Sequence, residues 1–429
     1  MNYIKKSIFV LVLLLLFFPF IQGIFYLVKP IPLDGYYVPN REPEITISSW
    51  FNGTYQDSCI TFIKESSSLR SVLVRMYNQV DYSLFSVPHA RKIVIGKNDY
   101  LYSDEYITAY LGTNFSGKQF CDEKVRLLKK LQDLLWNEKK IFLLTILTPD
   151  KCTFYPENIP ERYLKHKNEN TNYGYYAEKC KEAGINLIDF NQAFLRLKKT
   201  TPYSLYPKTG IHWSTYGSIV AADSMLKYLE VKLNVKFPKI VIDSIQISSV
   251  ALDVDDDIEA TLNLLFRLPH SVYGYPRYHF ITDTTTKKLN ALFVGDSFYW
   301  NWYPQIIRGI FNNDDFWYYN MEIFPKPKTK KVIVSQINIA DVINKENIII
   351  LMQVNGAKGN IGYGFIDEAL SVLDTSKSEE LKKTEDVIRG NNKWMIMIQE
   401  KAKKNHLTVE EQLKLDALYM IDLQQKGKK

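Results

Sequence analysis

Histidine and cysteine are both scarce in this sequence, with six and four residues in a chain of 429. The cysteines, Cys59, Cys121, Cys152 and Cys180, form no C-x-x-C pair. That argues against a zinc ribbon or a thioredoxin-like redox site. An even number permits disulfides in an exported chain, but spacing chooses neither a pairing nor between paired and free thiols. No metal and no cofactor is expected. Arginine and lysine nowhere form a stripe interleaved with stacking aromatics, so nucleic acid is not an expected partner. Internal repeats and low-complexity segments are also missing.

Hydrophobic residues at 46% and charged residues at 24% describe an ordinary globular chain with enough apolar mass for a core. The net charge of +7 suits work beside an anionic membrane or a polyanionic glycan, and equally suits plain solubility. Aromatics reach 14%, mostly Tyr and Phe, a weak pointer to sugar handling.

Lys5 and Lys6 precede a stretch from Ser7 to Val28 that carries no charged residue. A helix needs about 20 such residues to cross the hydrocarbon core, and flanking lysines stay cytoplasmic. Residues 1–28 therefore read as a single-pass anchor, with everything after Lys29 outside the cytoplasm. A cleaved signal peptide is the competing reading, but Gln22 and Gly23 offer no small-x-small site. No later segment is long and apolar enough to span.

Residues 29–44, with Pro30, Pro32, Pro39 and Pro43, read as an extended spacer. Residues 49–75 read as largely helical. Strands are expected at 90–96, 100–102, 140–147, 186–189, 289–294 and 347–351. Helices are expected at 124–135, 173–183, 214–233 and 298–310. Strand, helix, strand in this order marks a parallel α/β sheet. Beyond about residue 371 the chain turns rich in Lys and Glu, and 371–429 reads as an appendage of two or three exposed helices.

Two motifs carry chemistry. ALFVGDSF (291–298) is a strand that ends in Gly-Asp-Ser and turns toward a helix. Ser297 then sits at the carboxyl edge of the sheet, where open α/β folds build their sites, beside the free N–H groups of a helix start. KTGIHWSTYGS (208–218) delivers His212 on a loop before a helix, with Ser214 as its N-cap. A serine nucleophile needs such an imidazole to take its proton.

These motifs together resemble the periplasmic alginate O-acetyltransferase family, SGNH-hydrolase-like proteins whose serine motif follows the histidine motif, as if circularly permuted. WFNGTYQDS, RMYNQVDYSLF, VIGKNDYLYSDEYI and TPDKCTFYPENIP agree with it, so the resemblance spans roughly residues 45–370. It implies an SGNH-like parallel sheet flanked by helices. It also implies acetyl transfer through an acyl-Ser297 onto hydroxyls of an extracytoplasmic polysaccharide, with His212 as base. The Ser297 N–H would contribute to the oxyanion hole, a membrane-bound O-acyltransferase would supply the acetyl group, and the main domain would be periplasmic on an inner-membrane anchor.

The family pattern is commonly Asp-x-His-Trp, and Gly210 stands where that Asp would be. His212 then works as a dyad, or another carboxylate replaces the Asp; Asp150, Asp256 and Asp257 are the options. Asn355 is a possible oxyanion donor, Asp296 a holder of the turn, and Trp213 and Lys151 are possible substrate contacts. Two other readings remain open: a polysaccharide acetylesterase, and a glycan-binding or scaffold protein that has lost catalysis.

Overall fold

The computed structural model describes residues 2–25, 27–29, 31–35, 41–66, 68–165, 167–252, 254–325, 332–354, 359–373, 375–405 and 407–426. The first element is α1 (Asn2–Phe25), long and apolar enough to cross a membrane, with a mean hydropathy of 2.7. Gln22 closes its end: the side-chain amide donates to Val28 O at 2.8 Å and accepts from Val28 N at 2.7 Å. Three helices follow, α2 (Ile47–Phe51), α3 (Thr54–Ser66) and α4 (Ser68–Phe85).

The chain then makes an antiparallel pair, β1 (Ile93–Ile95) and β2 (Leu101–Ser103), and α5 (Asp104–Tyr110). Next come α6 (Lys118–Lys139), β3 (Phe142–Thr148), α7 (Lys151–Phe154), α8 (Asn172–Glu182), β4 (Leu187–Asp189) and α9 (Phe190–Leu197). After α10 (Thr215–Leu233) a long antiparallel pair, β5 (Lys239–Ser248) and β6 (Tyr273–Ile281), encloses α11 (Asp257–Leu262). The chain re-enters the sheet with β7 (Ala291–Gly295), α12 (Gln305–Ile310), β8 (Phe316–Tyr318), β9 (Glu322–Phe324), α13 (Ile339–Ile343) and β10 (Ile348–Val354). It ends in α14 (Phe365–Leu373), α15 (Thr375–Arg389), α16 (Asn392–Asn405) and α17 (Val409–Lys426).

Six strands form the main sheet in the order β4-β3-β10-β7-β8-β9, all pairs parallel except β8-β9. Every residue of β3, β7 and β10 is buried. This is why they read as continuous apolar runs: a parallel sheet is covered on both faces. On one face lie α10 and an aromatic cluster that includes Trp213, Phe298 and Trp302; on the other lie α6, α8 and α14. The three C-terminal helices share a small core of Ile388, Ile398, Leu413 and Ala417.

The structure corrects the expected helix over 298–310. Ser297–Asn301 is a short 3-10 turn, and a helix resumes only at Gln305. Pro304 lacks the N–H that a continuous helix would need there. The β5–β6 pair and the edge strands β8 and β9 had no reading from the sequence. Most β5 residues are exposed on either side, so the strand shows no two-residue alternation. All four cysteines are free thiols.

Gly295, the last residue of β7, lies against the middle strand. A Cβ there would fall 2.8 Å from Met352 Cβ and 2.9 Å from Met352 O. Gly295→Ala should therefore push β7 from β10, costing about 1–3 kcal/mol, and displace Ser297. Thermal unfolding checks the first effect. A crystal structure of the variant checks the second, and Ser297 is expected to shift from its native position.

Candidate active site

The 3-10 turn after β7 is set by Asp296. Its side chain is buried, with Oδ1 accepting from Phe298 N at 3.1 Å and Oδ2 from Val354 N at 2.8 Å and from Tyr363 Oη at 2.9 Å. One carboxylate thus ties the ends of β7 and β10 together and aims Ser297 off the sheet edge. Burial pushes the Asp296 carboxyl above its usual range, and these three donors act against that rise.

His212 arrives on the loop before α10. Ser214 caps that helix, accepting from Gly217 N at 2.9 Å, and its hydroxyl donates to Ser204 O at 2.6 Å. Tyr206 Oη donates to Ile211 O and holds the loop from beneath. The result is a hydrogen-bonded line. His212 Nε2 is 2.7 Å from Ser297 Oγ, and Nδ1 is 2.6 Å from Asp257 Oδ2. Asp257 Oδ1 also accepts from Ile211 N at 2.7 Å. With a carboxylate on one side, Nδ1 carries the proton and Nε2 is left to accept from the serine.

Asp257 opens α11, 45 residues beyond His212. Gly210 explains the distance. A Cβ there would meet Asp255 O at 2.9 Å, Val254 O at 3.0 Å and Pro207 Cγ at 2.8 Å. The backbone that leads to Asp257 fills the space a side chain at 210 would need, and brings its own carboxylate.

Several expected residues lie elsewhere. Asp150 is not beside His212: it is buried at the N-cap of α7, bonded to Thr153 N and Thr153 Oγ1 at 2.9 and 2.7 Å. Asp256 pairs with Arg267 at 3.0 Å. Trp213 cannot touch a ligand, since it is fully buried against Phe190, Phe298 and Trp302. Lys151 is also buried; its ammonium nitrogen donates to Leu101 O at 2.8 Å and Lys208 O at 2.9 Å, tying β2 to the His212 loop. Asn355 lies outside the described residues.

Ser297 opens into a cleft of about 990 Å³. Its walls include Tyr106, Tyr319 and Tyr363, with Ser103, Thr108, Asn114, Ser116 and Asn360 as the small polar groups. No residue of this lining, among the described residues, is basic. The side-chain oxygens of Asn114 and Asn360 are buried with no hydrogen-bond partner among the described residues. Leaving such an atom unpaired costs about 1–3 kcal/mol, which a ligand hydroxyl would recover.

Tyr319 and Tyr363 both have positive φ, 51° and 53°. Bulky residues rarely adopt this conformation, and such strain is held in place only by surrounding structure. Their rings meet edge to face with centroids 5.2 Å apart. Burial, with Tyr318 and Asp296 nearby, pushes the Tyr319 hydroxyl above the ordinary phenol range, while its interaction with Ser297 works against the rise. It therefore stays a proton donor at any physiological pH. Sequence reasoning missed the two tyrosines and both asparagines because none stands in a motif; the Tyr-rich composition was the only signal.

Residues 93–238 match a family model described as the SGNH hydrolase-like domain of the acetyltransferase AlgX. That span includes His212 and stops before Asp257 and Ser297. None of the curated proteins matches the chain. Similar solved structures include the O-acetyltransferase domain of Pseudomonas putida AlgJ, 14% identical, covering 65% of this chain and 98% of that one with a TM-score of 0.41. Pseudomonas aeruginosa AlgX is 16% identical over 66% of this chain and 67% of its own, with a TM-score of 0.45. Bacillus cereus PatB1 is 12% identical over 62% and 96%, with a TM-score of 0.39.

Burial pulls the Lys151 ammonium down to about 7, against the opposing attraction of Asp257. Unfolded, a lysine titrates near 10.4. Between these values the unfolded chain binds a proton that the folded one does not, so this group's contribution to stability rises with pH across that window. It is lost as pH falls through about 7. The stability of the native chain relative to Lys151→Met should therefore increase from pH 6.5 to pH 9. Paired thermal unfolding curves in detergent check it; a constant difference refutes it.

Proposed function

We propose that this chain, whose residues 93–238 match the model of the SGNH hydrolase-like domain of the acetyltransferase AlgX, is a serine-dependent O-acetyltransferase acting on a polysaccharide outside the cytoplasm. The observation that carries the reading is the Asp257–His212–Ser297 line at the floor of an open cleft.

In the first half-reaction Ser297 Oγ attacks the carbonyl carbon of an acetyl donor as His212 Nε2 takes the Oγ proton. The tetrahedral oxyanion is stabilised by the Ser297 N–H and the Tyr319 hydroxyl. Its collapse expels the donor's leaving group, which takes the proton from His212, and leaves acetyl-Ser297. In the second half a sugar hydroxyl gives its proton to His212 and attacks the acetyl carbon. The oxyanion collapses, Ser297 recovers its proton, and the ester remains on the sugar. Asp257 keeps Nδ1 protonated and stabilises the imidazolium that forms twice per cycle.

Tyrosine faces and unpaired amide oxygens suit an acceptor made of rings and hydroxyls. As a single-pass anchor, α1 would hold the domain at the outer face of a membrane. There a membrane-bound O-acyltransferase would supply the acetyl group. Residues 29–44 are the spacer and residues 371–429 a helical tail that carries none of the chemistry. The alternative of a scaffold that has lost catalysis drew on Gly210; the contact between Asp257 and His212 supports the catalytic reading instead.

The test uses the full chain in detergent with a chromogenic acetyl ester, read by intact mass. Wild type should gain about 42 Da on Ser297, the mass of one acetyl group on a covalent nucleophile. Ser297→Ala should gain nothing. His212→Ala and Asp257→Asn should each slow labelling by about 10³- to 10⁴-fold. Gly210→Asp should not rescue Asp257→Asn, since its side chain has no room. Wild type that never labels at Ser297 would sink the acyl-enzyme route.

A separate prediction concerns Tyr319. Tyr319→Phe keeps the ring and removes the donor, so kcat should fall by about 10²- to 10³-fold, the usual worth of one oxyanion donor, with KM little changed. A rise in KM alone would make Tyr319 a binding residue instead.

A further inference from the structure

Helix α4 is built inside out. Its inward face is polar: Ser71 Oγ accepts from Ile31 N at 3.3 Å, Arg75 donates to Leu264 O at 3.0 Å, and Asn78 donates to Leu262 O at 2.8 Å. Tyr82, one turn on, reaches Asp99 at 3.0 Å. The opposite face carries Leu73, Met76, Val80 and Leu84, exposed by 59%, 48%, 50% and 70%. Spacings of three, four and four residues put these four side chains on one line along the helix. At 18 residues the helix is about 27 Å long. An apolar stripe of that length facing water marks a contact surface.

The position of the stripe identifies what covers it. The chain leaving α1 is stitched to α4 at once: besides the Ile31–Ser71 bond, Arg75 donates to Pro32 O at 2.8 Å. Ile31 is six residues past the end of α1, which an extended chain spans in roughly 20 Å. Asp34 is then held by Asn263, its N–H donating to Oδ1 at 2.8 Å and its carbonyl accepting from Nδ2 at 3.0 Å. The membrane exit, α4 and the end of α11 therefore form one hydrogen-bonded junction. Trp50 and Phe51, on α2, are exposed by 50% and 83% on the same N-terminal segment, the residue types that settle at a bilayer interface.

We infer that α4 lies in the outer lipid interface, its apolar stripe in the acyl-chain boundary and its polar face holding the catalytic domain. The inference rests on reading α1 as a membrane anchor. Its consequence is orientation. Leu262, which α4 grips, ends the helix that opens with Asp257, and Leu264, also gripped, follows it by two residues. That helix is six residues, about 9 Å, so the reacting serine is kept within a short fixed reach of the lipid surface rather than swinging on a loose tether.

The test reconstitutes the full chain, with Cys59→Ser, in vesicles of phosphatidylethanolamine and phosphatidylglycerol. An environment-sensitive dye is placed singly on Leu73→Cys, Val80→Cys or Leu84→Cys. Leu13→Cys in α1 and the exposed Val231→Cys on α10 serve as references. All three α4 labels should lose emission severalfold when the lipids carry brominated acyl chains, as Leu13→Cys does, and should be shielded from iodide. Val231→Cys should show the reverse. Labels on α4 that behave like Val231→Cys overturn the inference. Labels shielded from both quenchers also overturn it, since a second copy of the chain then covers the stripe. If Leu13→Cys itself escapes the brominated lipid, the anchor reading fails and takes this one with it. If only the α4 labels escape, the anchor stands.

Discussion

The geometry of the candidate site depends on a carboxylate reaching Nδ1 of His212. Without a partner for Nδ1 the imidazole has no defined tautomer, and Ser297 has no fixed acceptor for its proton. Asp257 supplies that partner at 2.6 Å while its second oxygen accepts the Ile211 N–H, so one side chain orients both the ring and the loop that carries it. The geometry requires the 254–257 backbone to pass where a side chain at position 210 would stand. Glycine at 210 is therefore a packing requirement of this arrangement.

The serine side is held by the same kind of device. Asp296 spends its oxygens on two backbone N–H groups and a tyrosine hydroxyl, so the ends of β7 and β10 cannot move independently. Lys151 does the equivalent for the histidine side, bridging β2 and residue 208 through two carbonyls. Two buried ionisable groups with depressed charge stability thus serve position, not catalysis. Between them an aromatic wedge of Trp213, Phe298 and Trp302 fills the space behind His212 and Ser297. The strained backbone at Tyr319 and Tyr363 lines the opposite wall of the cleft, where the surrounding contacts offset its cost.

What the sequence by itself determined was whatever depends on local pattern. A buried parallel strand must be apolar along its whole length, so β3, β7 and β10 were legible as runs, as was the membrane-length α1. Ser297 and His212 were legible as candidates because a serine at a strand end and a histidine before a helix each keep a compact signature, and the structure brings the two within 2.7 Å. Tertiary structure alone decided everything that joins distant segments. Asp257 could be named with Asp150 and Asp256 but not ranked, since three carboxylates differ only in where the chain folds. Trp213 and Lys151 looked available to substrate because a one-dimensional reading cannot see that both are enclosed. The β5–β6 pair escaped because most of β5 is exposed on either side and shows no alternation, and the inverted face of α4 became visible only when its polar residues were seen gripping the domain.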